Sequence, residues 1–497
     1  MKRPGTLPVV LCAVTALLMS GAWARARAAE PAPARETVES AAAPQVPEVG
    51  IRLSVPRGGL DTPPLERLRS LLGLIALAGI AWAMSVNRRG VAWRLVLWGV
   101  SLQIAFALLI LRTPLGEGIF TALNVAVVGL LGFTVDGARF VFGNLVENNV
   151  PVGGGAPGQG PFTAIPGQVA NTGAFFAFNV LPTIIFFSSL MAVLYHLGIM
   201  QKAVKGVAWV MQRTMGTSGA ETLTAAGNIF VGQTEAPLLV RPFIERMTIS
   251  ELTAVMTAGF ATVAGGVMAA YVGMLVGTFP DIAGHLMAAS VMSAPAALVV
   301  AKLMVPETEE PETAGKLEIS VVRPDVNVID AAARGASEGL YLALNIGAML
   351  IAFIAFIYMF NGLLGWAGGL VGVEGITLEM ILGWLLAPLA WIMGVPWADA
   401  PFVGSLMGVK TVLNEFFAYI QLGSTLAGPH DLSPRSVVIA TYALAGFANF
   451  SSIAMQIGGI GSLAPSRRHD LARVGLRAMI GGSLAAFMTA TVAGMIL

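Results

Sequence analysis

The sequence predicts an all-α polytopic membrane protein with about eight transmembrane helices, and three observations support this fold class. The chain of 497 residues is 56% hydrophobic, and its mean hydropathy is +0.77. Only 11% of its residues are charged, whereas soluble domains carry roughly 25%. Apolar segments long enough to cross a bilayer follow one another along most of the chain. The composition therefore excludes a soluble globular protein, and the lack of a basic block argues against a nucleic-acid-binding arm.

The first residues have the layout of a secretory signal peptide. Lys2 and Arg3 precede a short apolar stretch, which the small-residue run "GAWARARAA" follows. We expect residues 1–29 to be a signal peptide, with a short uncleaved anchor as the alternative. Residues 30–67 are rich in Pro, Ala and Glu and are predicted to form a disordered periplasmic segment. Cys12 is the only cysteine, so no internal disulfide is possible.

Eight apolar segments are predicted to cross the membrane. Their predicted bounds are 69–86, 91–112, 174–197, 249–277, 286–304, 337–360, 435–460 and 473–496. With both ends of the mature chain outside, the Lys and Arg residues of the short loops fall on the inside, as the positive-inside rule requires. A signal peptide gives the same orientation. We therefore expect a multi-pass protein of the cytoplasmic (inner) membrane with a periplasmic mature N-terminus.

Two further apolar segments are interpreted as lying in the membrane interface. Residues 114–147 mix acidic and basic residues with apolar ones, a pattern that favours an amphipathic interfacial helix over a span. The N-terminal helices and this interfacial helix together occupy residues 68–147. Residues 376–395 fit either an interfacial helix or a short span, and we favour the interfacial helix.

Two hydrophilic stretches are predicted to be loops. Residues 148–173 are rich in Gly and Pro and are predicted to form a periplasmic loop. This loop contains a G-x-G-x-x-G pattern, but no predicted strand precedes it and no helix follows, so we interpret the match as chance. Residues 305–335 include "PETEEPET" and are predicted to form a cytoplasmic loop. This loop separates the two halves of the core, residues 174–304 and 336–497.

Two apolar segments, 225–247 and 398–430, do not fit a simple span. The first includes "AGNIFVGQTEAPLLVRPF", in which Glu235 stands two residues before Pro237. Insertion scales put a central Asp at roughly 2.5–3.5 kcal/mol. Unwound backbone at that depth is tolerated only where it is buried in protein or lines a cavity. We therefore predict a re-entrant helical hairpin whose polar tip forms a binding site.

Similar polar residues interrupt the second half of the chain. The stretch "GVKTVLNEFFAY" carries Lys410, Asn414 and Glu415, and a third polar stretch reads "GFANFSSIAMQIGG". Interrupted segments at corresponding places in two halves are typical of transport cores built from inverted repeats. The predicted re-entrant hairpins are 225–247 and 398–430, and the symmetry is inferred from layout rather than from a residue-level repeat.

Each polar stretch also has a purely structural interpretation. Glu235 and Glu415 would each pair with a nearby Lys or Arg and hold a re-entrant turn in place. Asn414 would cap a broken helix. Ser451 and Ser452 would bond back to the preceding turn.

These stretches resemble those of the concentrative nucleoside transporters. That family has the recurring motif G/A-x-K-x3-N-E-F-V-A, followed by Tyr, Met or Phe. The residues that fit it are Gly408, Lys410, Asn414, Glu415, Phe416, Ala418 and Tyr419. Phe417 departs from the motif, because Val is usual there. "GQTEAPLL" and "YALAGFANFSSIAMQIGGIGSLAP" resemble two further signatures, and the likeness runs from about residue 68 onward.

The resemblance implies a homotrimer whose protomers have eight core spans, interfacial helices, two opposed re-entrant hairpins and a broken seventh span. The implied nucleobase contacts are Gln233, Thr234, Glu235 and Val267. The implied ribose contacts are Glu415, Asn449 and Ser452, with Phe447 beside them. Carboxylates and amides suit this role because they bond vicinal hydroxyls, and a ligand that lacks a hydroxyl leaves a buried partner unpaired.

The resemblance also implies a sodium site. Its implied ligands are Asn228, Thr262 and the backbone carbonyls of Val231 and Val263. Thr262 stands where Ser is common in sodium-coupled members, but it keeps the hydroxyl oxygen. Some bacterial relatives use protons instead, and a glutamate of the site could carry one. No other cofactor is expected.

The sequence thus predicts a secondary active transporter that imports nucleosides, uridine-like ones among them, by symport with sodium. Proton-coupled symport stays open as an alternative. A different class, an intramembrane enzyme that uses Glu235 and Glu415 as an acid/base pair, has no supporting HExxH motif, nucleophile or metal cluster. A channel is the third interpretation, which uphill accumulation would exclude.

Overall fold

The computed structural model describes residues 62–497 except 148, 157–158, 172, 174–175, 316–324, 371, 374 and 430–431. The predicted signal peptide, 1–29, lies outside the described residues, as does nearly all of the segment 30–67. Both stay predictions.

The described chain confirms the all-α membrane fold. Helices of the first part are α1 (Pro64–Ala83), α2 (Trp93–Arg112), α3 (Pro114–Phe142), α4 (Leu181–His196) and α5 (Ile199–Met215). The next are α6 (Gly219–Gly227), a 3-10 helix (Ala236–Arg246), α7 (Ile249–Ala261), α8 (Gly265–Leu275) and α9 (Ile282–Met304). Those of the last part are α10 (Val328–Leu370), α11 (Leu378–Met393), α12 (Ala400–Val412), α13 (Glu415–Ala427), α14 (Pro434–Leu444), α15 (Phe450–Leu463) and α16 (Arg468–Ile496).

Seven helical segments in the described residues are long and apolar enough to cross a membrane. They are Trp93–Arg112, Pro114–Val146, Phe176–His196, Ile249–Leu275, Ile282–Met304, Val328–Leu370 and Pro465–Ile496. The core lies around α7, α9 and α16, which are almost wholly buried, whereas α3 and α10 expose most of their apolar side chains and α4 is mostly half-buried. The exposed helices are therefore the surface that faces lipid or another subunit.

The Gly/Pro-rich segment 148–173 differs from its prediction as a loop. It contains two antiparallel strands, β1 (Asn149–Ala156) and β2 (Gln159–Asn171), with irregular register at two places. Glycines contribute no side-chain pattern, so a strand of this composition shows no alternation of apolar and polar residues to predict it from.

Two predicted spans are discontinuous. The span 249–277 breaks between α7 and α8, where Thr262 adopts an extended backbone. The span 435–460 breaks between α14 and α15, as the resemblance implied. A polar residue caps or ends a helix at each break, Thr262 in the first and Asn449 in the second. Such breaks free backbone groups inside the buried core.

Three other elements bear on the predicted bounds. Helix α10 has 43 residues and begins inside the predicted loop 305–335, so the predicted span 337–360 is only its middle. Helix α11 has 16 residues, too few for an upright span, which agrees with an interfacial position. Helix α3 fills the segment predicted to be interfacial, but its length and composition also suit a span, so its orientation stays a prediction.

The order of elements repeats between the two halves of the core. In the first half, α6 and the 3-10 helix pack against each other, and the broken pair α7/α8 and the long helix α9 follow. In the second half, α12 and α13 pack together, and the broken pair α14/α15 and the long helix α16 follow. This shared order shows that the same elements recur in both halves, and the inverted relation between the halves stays a prediction.

In both halves, a hydrogen bond joins the start of the hairpin to the start of the broken helix. In the first half, the Ser218 hydroxyl before α6 donates to Glu251 Oε1 in the first turn of α7, at 2.6 Å. In the second half, Asp399 before α12 accepts from the Ser433 hydroxyl before α14, at 2.9 Å. The corresponding bonds fix each hairpin to the broken helix of its own half.

A buried lysine strengthens the first of these junctions. Lys302 Nζ of α9 lies 2.7 Å from Glu221 Oε2 and 3.1 Å from Glu307 Oε2, and it donates to the Ser250 hydroxyl at 2.9 Å. Glu221 is the capping-box residue of α6, and Ser250 lies in the first turn of α7. One ammonium group therefore joins the starts of two helices and the chain after α9.

We expect Lys302→Met to destabilise the fold strongly, because it leaves buried carboxylates without their cation. Removing one partner of a buried ion pair typically costs about 3–5 kcal/mol. The thermal unfolding midpoint in detergent should fall well below that of the unsubstituted protein.

Arg246→Met is the matched control for that variant. Arg246 pairs with Glu312 at 3.0 Å, but its side chain is 65% exposed. Pairs of this kind contribute little, so its midpoint should hardly move. Equal midpoints for the two variants would contradict the anchoring role of Lys302.

Candidate functional site

The first hairpin ends in a polar tip, in which Asn228 and Gln233 are buried whereas Thr234 and Glu235 are exposed. Helix α6 ends at Gly227, where a Cβ would lie 2.6 Å from Leu239 Cδ1 of the returning 3-10 helix. A larger residue at this position would therefore make the Leu239 side chain shift. Between the arms the chain forms turns, and the Gly232 N–H donates to Glu235 Oε2 at 3.2 Å. This bond orients the carboxylate from within its own tip.

The second hairpin turns at Asn414. Its Oδ1 accepts from the Phe417 N–H at 3.0 Å and so caps the N-terminus of α13, as the structural interpretation of this residue predicted. Glu415 is the first residue of α13 and is buried. A carboxylate at a helix N-terminus is stabilised by the helix dipole and by the free N–H groups there.

Lys410, near the end of α12, does not form the ion pair that the structural interpretation required. It is fully buried, and its ammonium donates to the Ala443 carbonyl near the end of α14 at 2.8 Å. It therefore satisfies a carbonyl at the break between α14 and α15 and joins the second hairpin to that break.

Asn449 links the second broken helix to Glu415. Its Oδ1 caps α15 by accepting from the Ser452 N–H at 2.9 Å, and it also accepts from the Ser451 hydroxyl at 2.7 Å. Its Nδ2 donates to Glu415 Oε2 at 2.9 Å. Because the capping bond uses the oxygen, the amide nitrogen is the end that faces the carboxylate.

All eight predicted nucleoside contacts line a single cavity. It has a volume of about 100 Å³ and lies where the tips of both hairpins and the broken helices meet. The predicted residues in its wall are Gln233, Thr234, Glu235, Val267, Glu415, Phe447, Asn449 and Ser452. Gln233 and Met455, which are 222 positions apart in the chain, are in contact here. The fold therefore assembles these groups from both halves.

A larger cavity adjoins the first. It has a volume of about 640 Å³, within the usual range for ligand sites, and shares Gly232, Thr234, Glu235 and Val267 with the smaller one. Its outer wall includes Arg334 and Glu338 of α10. The two cavities therefore adjoin at the tip of the first hairpin, and the larger one has room for a small organic solute.

Charged groups stand at the far side of the larger cavity. The Arg334 guanidinium donates to Asp325 Oδ1 at 2.7 Å and to Oδ2 at 3.0 Å, and it also donates to Glu338 Oε1 at 2.8 Å. The hydrogen bonds from Arg334 hold the pKa of the Asp325 carboxyl below its usual value.

The structure adds two residues that the sequence interpretation missed. The Tyr271 hydroxyl of α8 donates to Glu415 Oε1 at 2.9 Å. Gln456 of α15 is fully buried, and its Nε2 donates to Gln233 Oε1 at 2.9 Å and to the Met256 carbonyl at 3.1 Å. Since a carbonyl only accepts, Gln456 must present its nitrogen. The Gln233 nitrogen donates to Met455 Sδ at 3.8 Å, and its second N–H is left for another partner.

The partners of the two glutamates show whether each forms the ion pair that the structural interpretation predicted. In the described part of the chain, Glu415 accepts from Tyr271 and Asn449, and Glu235 accepts from a backbone N–H. These donors are neutral groups rather than the Lys or Arg that the structural interpretation expected. The acceptor capacity of both carboxylates is therefore not used up by a fixed cation.

The predicted sodium ligands lie at the ends of two helices. Asn228 follows the last residue of α6, and Thr262 follows the last residue of α7. Helix C-termini carry partial negative charge, which favours a cation. Phe230 O accepts from the Gly265 N–H at 3.2 Å, so the tip of the first hairpin contacts the break between α7 and α8.

The side chains at this junction offer oxygen atoms. Asn228 is buried, its Nδ2 donates to Thr224 O at 3.0 Å, and its Oδ1 has no hydrogen-bond partner among the described residues. The Thr262 hydroxyl donates to Ala258 O at 2.9 Å and keeps its lone pairs. Val231 and Val263 are buried beside them. An orphaned amide oxygen, a hydroxyl and unwound carbonyls fit a sodium ion.

Comparison with protein families settles which group the chain belongs to. A profile described as "Na+ dependent nucleoside transporter N-terminus" matches residues 72–145, one described as "Nucleoside recognition" matches 177–278, and one described as "Na+ dependent nucleoside transporter C-terminus" matches 285–494. The chain belongs to the Na+-dependent nucleoside transporter family. The resemblance to concentrative nucleoside transporters is thereby confirmed, and the chain is not an enzyme.

Curated relatives of this transporter come from bacteria and mammals. An "Uncharacterized transporter" of Haemophilus influenzae is 44% identical over 86% of this chain and 97% of its own length. "Solute carrier family 28 member 3" of Mus musculus is 43% identical over 88% of this chain. "Sodium/nucleoside cotransporter 1" of Rattus norvegicus is 41% identical over 87% of this chain. The matches span only 60% and 64% of the mouse and rat proteins.

Solved structures of a transporter called CNTnw share the fold. One, described as an inward-facing substrate-bound state, has a TM-score of 0.77 and 42% identity and covers 86% of this chain and 97% of its own. A substituted form in an outward-facing state also has a TM-score of 0.77 and 42% identity and covers the same shares. The family thus accounts for the helical architecture from about residue 68 onward.

Proposed function

We propose that this transporter imports nucleosides across the cytoplasmic membrane by symport with sodium. The observation that carries the proposal is the single cavity, whose wall holds all eight predicted substrate residues. A nucleoside has a polar planar base and a ribose with vicinal hydroxyls. The cavity wall supplies amide and carboxylate groups from the first hairpin at one side and from the second hairpin at the other.

The first hairpin is proposed to recognise the nucleobase through Gln233, Thr234 and Glu235, with Val267 against the ring. Gln456 holds the oxygen of the Gln233 amide, so the Gln233 nitrogen is the donor left for the base. Glu235 offers an acceptor. A base with both a carbonyl oxygen and an N–H, as in uridine, suits this pair of groups.

The second half is proposed to hold the ribose. Glu415, Asn449 and Ser452 are buried and joined by hydrogen bonds or by a cap, so their positions are set before a ligand arrives. Phe447 supplies an apolar contact beside them. A preformed site of this kind loses little conformational freedom on binding.

Sodium is proposed to bind at Asn228 and Thr262, with the carbonyls of Val231 and Val263. The orphaned Asn228 oxygen supports this site, because a buried acceptor without a partner is costly. The ion would also join the first hairpin to the α7/α8 break, since its ligands come from both. Such a shared position would make ion binding and substrate binding favour each other.

The assembly and orientation belong to the same proposal. We propose a homotrimer in the inner membrane, with the mature N-terminus in the periplasm. The exposed apolar side chains of α10, which include Tyr358 and Trp366, support an extensive lipid or subunit contact. Solved relatives occur in inward-facing and outward-facing states, and we propose that this chain also alternates between two such states.

Uptake into proteoliposomes tests the proposed function. Radiolabelled uridine should accumulate above its equilibrium level when a sodium gradient is directed inward, and it should not accumulate when sodium is absent. Uptake that ignores sodium and follows an inward proton gradient would replace sodium symport by proton symport. Equilibration without uphill accumulation under either gradient would indicate a channel.

We expect loss of the predicted sodium ligands to weaken sodium dependence. Asn228→Ala and Thr262→Val should raise the sodium concentration for half-maximal uptake roughly tenfold, equivalent to about 1.4 kcal/mol. Uridine affinity at saturating sodium should change less. Thr262→Ser is the matched control, because it keeps the hydroxyl oxygen, and its sodium dependence should stay near that of the unsubstituted protein. Unaltered sodium dependence in both oxygen-deleting variants would contradict this site.

We expect Glu415→Gln to lower uridine affinity on the order of tenfold or more, because a charge-assisted hydrogen bond is worth roughly 1.5–3 kcal/mol. It should also narrow discrimination against nucleosides that lack one ribose hydroxyl. Calorimetry at fixed sodium measures both quantities. Glu379→Gln is the control: Glu379 also accepts from an asparagine amide, Asn361, at 3.0 Å, but outside the cavity. An unchanged uridine affinity in folded Glu415→Gln would remove Glu415 from the ribose site.

A further inference from the structure

Glu415 receives two side-chain hydrogen bonds, one on each oxygen. Tyr271 donates to Oε1 and Asn449 donates to Oε2, both at 2.9 Å. A carboxylate has about four acceptor positions. Even with the backbone N–H of Glu415 itself beside the group, acceptor capacity is left for a ligand in the cavity that Glu415 lines. The two donors therefore orient the carboxylate without using it up.

The Tyr271 ring is held rigidly. It is fully buried, and its ring centroid lies 4.8 Å from that of Phe416 and 4.5 Å from that of Tyr419. Phe416 and Tyr419 belong to α13, the helix that begins with Glu415. A ring locked against that helix places its hydroxyl at a set point relative to the carboxylate. The direction of the Tyr271 hydrogen bond is thus determined by packing.

Tyr271 acts at a distance from any ligand. It lines neither the small cavity nor the larger one beside it. Its hydroxyl reaches the site only through Glu415, and it comes from α8, in the other half of the core. The bond therefore spans 144 positions of the chain and joins the two halves at the carboxylate.

From this geometry we propose that Tyr271 is a positioning residue that sets how strongly the site selects ribose over deoxyribose. The inference rests on the proposed nucleoside function. With Tyr271 and Asn449 on opposite oxygens, the carboxylate cannot rotate, and its remaining lone pairs stay where vicinal hydroxyls can donate to both oxygens. Without the Tyr271 hydroxyl, one anchor remains and the carboxylate turns about it. A diol then loses its paired contact, whereas a single hydroxyl loses less.

The test compares three ligands on two variants. Binding of uridine, 2′-deoxyuridine and 3′-deoxyuridine is measured by calorimetry at saturating sodium on purified full-length protein. In Tyr271→Phe, uridine affinity should fall roughly three- to tenfold, the effect of one lost hydrogen bond. The affinities for both deoxy analogues should fall less, so the ratio of uridine to deoxyuridine affinity narrows.

Tyr419→Phe is the matched control. Tyr419 is equally buried and stacks on Tyr271, but its hydroxyl donates to the Thr441 carbonyl at 2.8 Å rather than to Glu415. It loses one buried hydroxyl in the same cluster, so its thermal stability reports the general cost of that loss. Its ratio of uridine to deoxyuridine affinity should equal that of the unsubstituted protein.

Two results overturn the inference in distinguishable ways. If Tyr271→Phe loses affinity for all three ligands by the same factor, or changes none, Tyr271 has only a structural role while the nucleoside site stands. If the unsubstituted protein binds no uridine, the proposed function fails and this role with it. Tyr271→Met, which removes the hydroxyl donor and keeps an apolar side chain, is the second variant should Tyr271→Phe not fold. This variant should also narrow the ratio of uridine to deoxyuridine affinity. An unchanged ratio in this variant would overturn the role of Tyr271.

Discussion

The rest of the structure depends on helices that stop inside the apolar core. Every interrupted helix leaves backbone N–H or C=O groups without partners, and the buried surroundings supply no bulk water for them. Polar side chains at the ends of the interrupted helices supply these partners. Asn414 and Asn449 cap the N-termini of α13 and α15, and Lys410 binds a carbonyl near the end of α14.

The helix dipole, which differs in sign between N- and C-termini, explains where each kind of polar group lies. The oxygen-bearing residues Asn228 and Thr262 stand at helix C-termini, where the dipole favours a cation. Glu415 stands at the N-terminus of α13 and contacts the residue that caps α15, where the dipole favours an anion. The interrupted helices thus place two electrostatically different kinds of helix end in the core.

Much of this arrangement could be predicted from the sequence because it is local. A carboxylate, an amide and a proline in an apolar run, as around Glu235, reveal a break within a few residues. The role of Tyr271 could not be predicted in this way. It lies in "MAAYVGML", a continuous apolar run, and its partner is 144 positions away. Gln456 stood in a recognised polar stretch, but its contact with Gln233 depends on the packing of two separate segments.

The structure also limits what hydropathy alone can predict. The break between α7 and α8 carries only Thr262 as a polar marker, so the run reads as one span. The two strands between residues 149 and 171 have too many glycines to show a strand pattern. In contrast, the segment around the break between α14 and α15 contains several polar residues and matches a long family signature. These two features made its break predictable.

Helix α10 is far longer than a bilayer is thick. Its 43 residues extend about 65 Å, against about 30 Å for the hydrocarbon core. Transmembrane helices tilt by up to about 40°, so tilt alone cannot bring the whole helix into the hydrocarbon. The charged start of α10, with Arg334 and Glu338, is the part that belongs in water. Both residues also line the larger cavity, so this cavity lies next to the part of α10 that belongs in water. A solute that occupied both cavities would meet charged residues at the start of α10 and neutral donors at the ends of the interrupted helices.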